Sequence, residues 1–170
     1  MTLSPFSLRS LSLFFSLFSA LFSSSAGREV EGGSSELVFL GGASGVFDRE
    51  TNPAVTVEYR AQRSFARLRP WLAAGWATDG AVFAGGGALR SWTLCEAWSF
   101  TAGIGAGRYD RHEGRDLGSH LEFLTYGEIA RRVGVGRSVR VRLTHISNGS
   151  LGDVNPGTEL VAIGYSVALP

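Results

Sequence analysis

Val161-Ala162-Ile163-Gly164-Tyr165-Ser166-Val167-Ala168-Leu169 decides how the rest of the chain is read. Its odd positions (Val161, Ile163, Tyr165, Val167 and Leu169) are apolar and mostly large, while its even positions are all small. Successive side chains of an extended strand point to opposite faces. One face is therefore greasy and bulky and the other narrow, as expected with lipid outside and a tight lumen inside. Residues 54–60 repeat the pattern, with Val55, Val57 and Tyr59 alternating with Thr56, Glu58 and Arg60. Residues 137–148 follow it too: Val141 and Leu143 share one face, Arg140, Arg142 and Thr144 the other. Charges on the inner face of a sheet are costly in a soluble sandwich but ordinary in a polar barrel lumen. The alternation therefore favours a membrane barrel.

Outward from that strand, alternation and turn residues divide the chain into eight strands. They fall near residues 35–46, 53–63, 66–78, 80–90, 93–107, 120–132, 137–148 and 158–169. Turns are expected at Arg49 to Pro53, Thr78-Asp79-Gly80 and Gly134 to Gly136, with longer polar loops at Asp110 to Gly118 and Gly149 to Gly157. Eight strands of about ten residues suit the smallest outer-membrane barrels. The expected fold is all-β, an eight-stranded antiparallel transmembrane β-barrel. Trp71, Trp76, Trp92 and Trp98, with Tyr109 and Tyr126, are expected in aromatic girdles at the membrane interfaces. Gly85 to Gly87 and Gly103 to Gly107 have no Gly-Lys-Ser/Thr after them, so they read as small residues packing a narrow barrel and not as phosphate loops.

Residues 1–26 read as a signal peptide. Arg9 supplies the positive region, Leu11 to Phe22 the apolar stretch, and Ser24-Ser25-Ala26 a small-residue cleavage site. The domain expected after it is a barrel hydrolase over residues 27–170. Bases number 16 and acids 15 in the full chain. Setting aside the leader with its Arg9 leaves the two equal, and every base is arginine. A neutral chain without a basic cluster offers no footprint for nucleic acid. The single cysteine, Cys95, allows no intrachain disulfide and no multi-cysteine metal site.

The chemistry gathers at the end of the chain. His145 and Ser147 lie two apart on a strand, on one face and roughly 6–7 Å from each other. If the following loop turns near Gly152-Asp153, Glu159 comes to lie opposite His145, with Cβ atoms about 5 Å apart. A serine needs a base within hydrogen-bond reach. His145 is positioned to act as that base, and Glu159 to hold the imidazole. Asn148, next after the serine, is the candidate oxyanion donor, through its amide or a nearby backbone N–H. Ser150 lies beyond the strand end, and His112 and His120 read as non-catalytic. All three candidate triad residues share parity with the apolar face, so their substrate is expected to be a membrane lipid.

Thr144-His145-Ile146-Ser147-Asn148, followed by Asn155-Pro156-Gly157 and Glu159, resembles the lipid A 3-O-deacylases of the PagL type. The likeness runs more loosely through Gly103 to Gly107 and Gly118-Ser119-His120-Leu121-Glu122-Phe123. It implies an outer-membrane barrel whose Ser147 is nucleophile, His145 base, Glu159 orienting acid and Asn148 oxyanion contributor. The implied partner is lipid A of lipopolysaccharide, deacylated at its 3-position without metal or cofactor. Self-association as a homodimer is left open. A second likeness, to outer-membrane phospholipase A, rests on His145, Ser147, Asn148 and Gly149. That family's twelve-stranded, calcium-dependent barrel needs more strands than about 144 residues supply. A non-catalytic structural barrel is the third reading.

Overall fold

The computed structural model describes residues 28–29, 34–48, 50–65 and 67–170, so the expected signal peptide lies outside the described residues. A two-residue strand, β1 (Arg28–Glu29), precedes eight longer ones: β2 (Glu36–Ser44), β3 (Asn52–Arg60), β4 (Arg69–Ala77), β5 (Val82–Cys95), β6 (Trp98–Asp110), β7 (Leu121–Gly134), β8 (Arg137–Ser147) and β9 (Thr158–Ala168). Consecutive strands from β2 to β9 pair antiparallel, and β2 also pairs with β9, closing an eight-stranded barrel. β1 lies against Trp92 and Thr93 of β5, beyond the point where β4 begins.

The expected break between β5 and β6 at residues 91–92 is not there; both strands run on to a turn at Glu96-Ala97. Arg90-Ser91-Trp92 looks like punctuation, yet each residue is paired in the ladder. Ser91 Oγ lies 2.8 Å from Thr101 Oγ1, and Trp92 stacks on Phe100 with centroids 5.8 Å apart. Polar residues that find partners across the ladder do not end a strand.

Alternation sorts the side chains as expected. Val55, Val57, Val139, Val141, Ile163 and Tyr165 are exposed on the outer wall, while Glu58, Arg60, Arg140, Arg142 and Ser166 are buried inside. The aromatic girdle is only partly realised. Trp76 and Trp98 are exposed, but Trp71, Tyr109 and Tyr126 are buried, and Trp71 meets Tyr126 edge to face at 5.9 Å. Odd positions of β4 and even positions of β7 point inward, so parity and not ring chemistry sets their side. Gly103 and Gly105 give them room: a Cβ would come within 2.2 Å of Tyr126 at the first and 2.4 Å of Trp71 at the second.

The half of the lumen nearer the termini is filled by charge. Arg60 binds Glu58 at 2.6 Å and Glu128 at 2.9 Å; Arg142 binds Glu58 at 2.7 Å and Glu128 at 2.7 Å. Arg140 reaches Glu128 at 2.8 Å, Glu36 at 2.6 Å and the hydroxyl of Ser166. The Arg142 guanidinium sits 4.1 Å from the Tyr126 ring centroid. Each charge of this network is thus matched by hydrogen-bonded opposite charges, the condition under which such groups are tolerated.

Candidate active site

β8 and β9 carry the candidate residues, and their register sets the geometry. His145 is paired directly with Glu159, as a loop turning near Gly152-Asp153 requires. Both residues, and Ser147, have the odd parity of Val141 and Ile163 and so belong to the outer wall. They lie at the barrel end that carries the loops at 111–120 and 148–157; two of the three connections at the other end are two-residue turns. Short periplasmic turns and longer outer loops are the usual orientation, which puts the cluster at the outer leaflet.

His145 Nδ1 is 3.1 Å from Glu159 Oε1. With the proton on Nδ1, the imidazole donates to the carboxylate and Nε2 is left as an acceptor. Nε2 is buried and has no hydrogen-bond partner among the described residues. The strand's alternation sets Ser147 on the same wall, one step nearer the loop and across from Phe123 of β7. The Glu159 end of β9 is tied down as well. Its carbonyl accepts the Gly45 N–H at 2.8 Å and the Val46 N–H at 3.4 Å.

Gly157 is a site residue whose role the spacing alone does not disclose, although it lies in the Asn-Pro-Gly stretch. It has φ +64°, and a Cβ there would sit 2.9 Å from His145 Cε1. The imidazole therefore packs on bare backbone. Gly157→Ala is expected to displace the ring and strain the turn, lowering kcat/KM by roughly 10²-fold, the scale of a 1 Å misplacement. Kinetics of the folded variant, with its heat-modifiable migration retained, would check this; wild-type kinetics would remove the packing role.

Asn148 lies where expected but is employed differently. Its side chain is fully buried, and its Nδ2 donates to the carbonyls of Leu117 at 2.8 Å and Val154 at 2.7 Å. Its Oδ1 accepts the Ser150 N–H at 2.8 Å, and its own N–H donates to Asn155 Oδ1 at 3.1 Å. The carboxamide clasps two loops together, with its hydrogens already committed. Ser150 sits in the turn beyond the strand with φ +67°. His120 stands beside Asp110 at 3.3 Å, in the neighbouring loop.

A closed eight-stranded antiparallel barrel with an apolar outer wall and an ion-paired lumen defines a β-barrel of the outer-membrane class. The family model for lipid A 3-O-deacylase (PagL) matches residues 54–168, well over half of the chain. The chain belongs to that family, a family of lipid A deacylases located in the bacterial outer membrane. The crystal structure of the outer membrane enzyme PagL is similar with a TM-score of 0.64 and 19% identity, over 79% of this chain and 99% of that one. A de novo designed transmembrane β-barrel gives 0.63 at 14% identity, over 84% of this chain and 100% of the design. Neisserial surface protein A gives 0.54 at 9% identity, over 79% and 96%. At these identities the likenesses show the fold. No curated protein sequence matches significantly.

Proposed function

We propose that this protein hydrolyses the ester at the 3-position of lipid A, with Ser147 as nucleophile, His145 as general base and Glu159 as the acid that orients it. One observation carries the reading: His145 Nδ1 lies 3.1 Å from Glu159 Oε1, with an unpartnered Nε2 on the wall that bears Ser147. Ser147 Oγ attacks the ester carbonyl and its proton passes to Nε2. The tetrahedral intermediate then collapses, and the sugar oxygen leaves with that proton. Water, deprotonated by the same nitrogen, attacks the acyl-serine, freeing a 3-hydroxy fatty acid and restoring Ser147. Glu159 holds the tautomer and stabilises the imidazolium.

Asn148 contributes to the oxyanion site by shaping it. Its carboxamide clasps the turn, and the N–H groups of Asn148, Ser150 and Leu151 are donated within the loop. The Gly149 N–H is not among those bonds, and Gly149 turns the chain at φ +62° directly after Ser147-Asn148. It is the backbone donor assigned to the developing oxyanion.

The test is product analysis with purified barrel in detergent and lipid A of defined acylation. Release of one 3-hydroxy fatty acid from the 3-position supports the reading; cleavage of glycerophospholipid alone contradicts it. Glu159→Gln is expected to retain a small fraction of activity, a loss of about 10²–10⁴-fold, because the imidazole can still accept a proton in a poorer orientation. Full activity would remove Glu159 from the mechanism. Chelators are expected to leave turnover unchanged, since serine, histidine and glutamate supply every proton transfer; a calcium requirement would move the assignment to a phospholipase.

A further inference from the structure

Eight strands enclose an interior just wide enough for side chains to fill, or for one small ligand. Here the two options divide the lumen. The terminal half is packed by the Arg60, Arg140 and Arg142 network, but the loop half is hollow, with a cavity of about 640 Å³. The cause lies in the sequence: β3, β4 and the turn after it present Ala54, Ala73, Gly75, Ala77 and Ala81 where larger residues would close the space. Leu40, Phe83, Leu124 and Ile146 complete apolar walls, and Glu58 and Arg142 form the floor. The volume is within the ~300–1,000 Å³ usual for small-molecule sites.

Two features point to an occupant. Trp71 lines the chamber, is 2% exposed, and its indole Nε1 is buried without a hydrogen-bond partner among the described residues. Such a donor is normally satisfied by ligand or ordered water. The mouth is acidic: Asp48, Glu50, Asp79 and Glu113 line it, against Arg115. Arg115 is already paired with Asp48. Among the described residues of the rim, carboxylates outnumber arginines four to one. A like-signed rim over low-dielectric walls focuses its field on an entering ion.

We infer that the loop half of the lumen is a second binding site, separate from the lipid-facing serine, for an organic cation with an apolar body. The body fills the alanine-lined chamber, with a hydrogen-bond acceptor, where it has one, reaching Trp71 Nε1. The cationic group stays at the carboxylate rim. Nothing in this reading depends on the lipid A chemistry, because Ser147, His145 and Glu159 face the opposite side of the wall.

The test is calorimetric titration of the barrel in zwitterionic nanodiscs, with empty discs subtracted. The probe is phenylbutyl-trimethylammonium, and phenylpentanoate serves as an anionic counterpart of similar bulk. The expected result is saturable binding of one cation per barrel, weakening with salt, and no saturable binding of the anion. Ala73→Phe, which fills the chamber, is expected to weaken the cation at least about tenfold. Ala77→Leu is a milder filling variant for use if the first does not fold. Asp79→Asn with Glu113→Gln is expected to weaken it several-fold and flatten the salt dependence; the Asn retains an oxygen for the Ala81 N–H that Asp79 now accepts. Deacylation by Ala73→Phe should stay at the wild-type rate. Absence of saturable cation binding, equal binding of the anion, or affinity untouched by filling would each overturn the site.

Discussion

Ser147→Ala is expected to lower deacylation by at least about 10⁴-fold while leaving the barrel intact. Oγ is the atom that forms the acyl bond, and the other hydroxyl on that stretch of outer wall, that of Thr125, stands across from His145 and not at the place of Ser147, which faces Phe123. Ser150 is in the turn at φ +67°, and Thr144 is buried on the lumen side. The residual rate should come from binding and backbone donors alone. The residues act as a unit, so His145→Asn is expected to cost a similar factor, and the double variant no more than either single one. Single-turnover kinetics on refolded, heat-modifiable protein would measure all three. Activity of Ser147→Ala within tenfold of wild type would transfer the nucleophile elsewhere.

The largest effect on stability should come from a residue far from that chemistry. Glu128 is fully buried and receives Arg60, Arg140 and Arg142 together, at 2.9, 2.8 and 2.7 Å. Glu128→Gln keeps the shape and removes the charge that three guanidiniums share. Breaking a buried pair by deleting one partner typically costs about 3–5 kcal/mol, so a loss of that order is expected. Equilibrium unfolding in denaturant from lipid vesicles would read it, and a change below about 1 kcal/mol would show that the remaining Glu58 and Glu36 suffice.

These two residues also show how the sequence announces its structure. The barrel was legible in strict period-two alternation: Val161 to Leu169 and Val55 to Arg60 sort large apolar from small or charged positions. A one-residue slip would turn Arg140 and Arg142 of β8 into lipid. The facing of His145 and Glu159 was legible for the same reason, since register in a hairpin follows from loop length. What stayed hidden was partner choice. Trp71 and Tyr126 look like girdle residues until Gly103 and Gly105, on another strand, are seen to make space for them inside. The strand break expected at residues 91–92 is bridged by Thr101 and Phe100 across the ladder. Asn148 looks like a donor to substrate until Leu117 and Val154 claim its amide. Each depends on a residue of another strand or loop, which alternation along a single strand does not encode.

The central claim is that Ser147, driven by His145 and Glu159, removes the 3-linked acyl chain of lipid A. The most direct measurement is mass spectrometry of lipid A from cells expressing wild-type protein or Ser147→Ala at equal levels in the outer membrane, with fragmentation to locate the change. The account predicts that one 3-hydroxyacyl mass is lost from the 3-position with wild type only. Lipid A left unchanged by correctly inserted wild-type protein, or the same loss with Ser147→Ala, would contradict it.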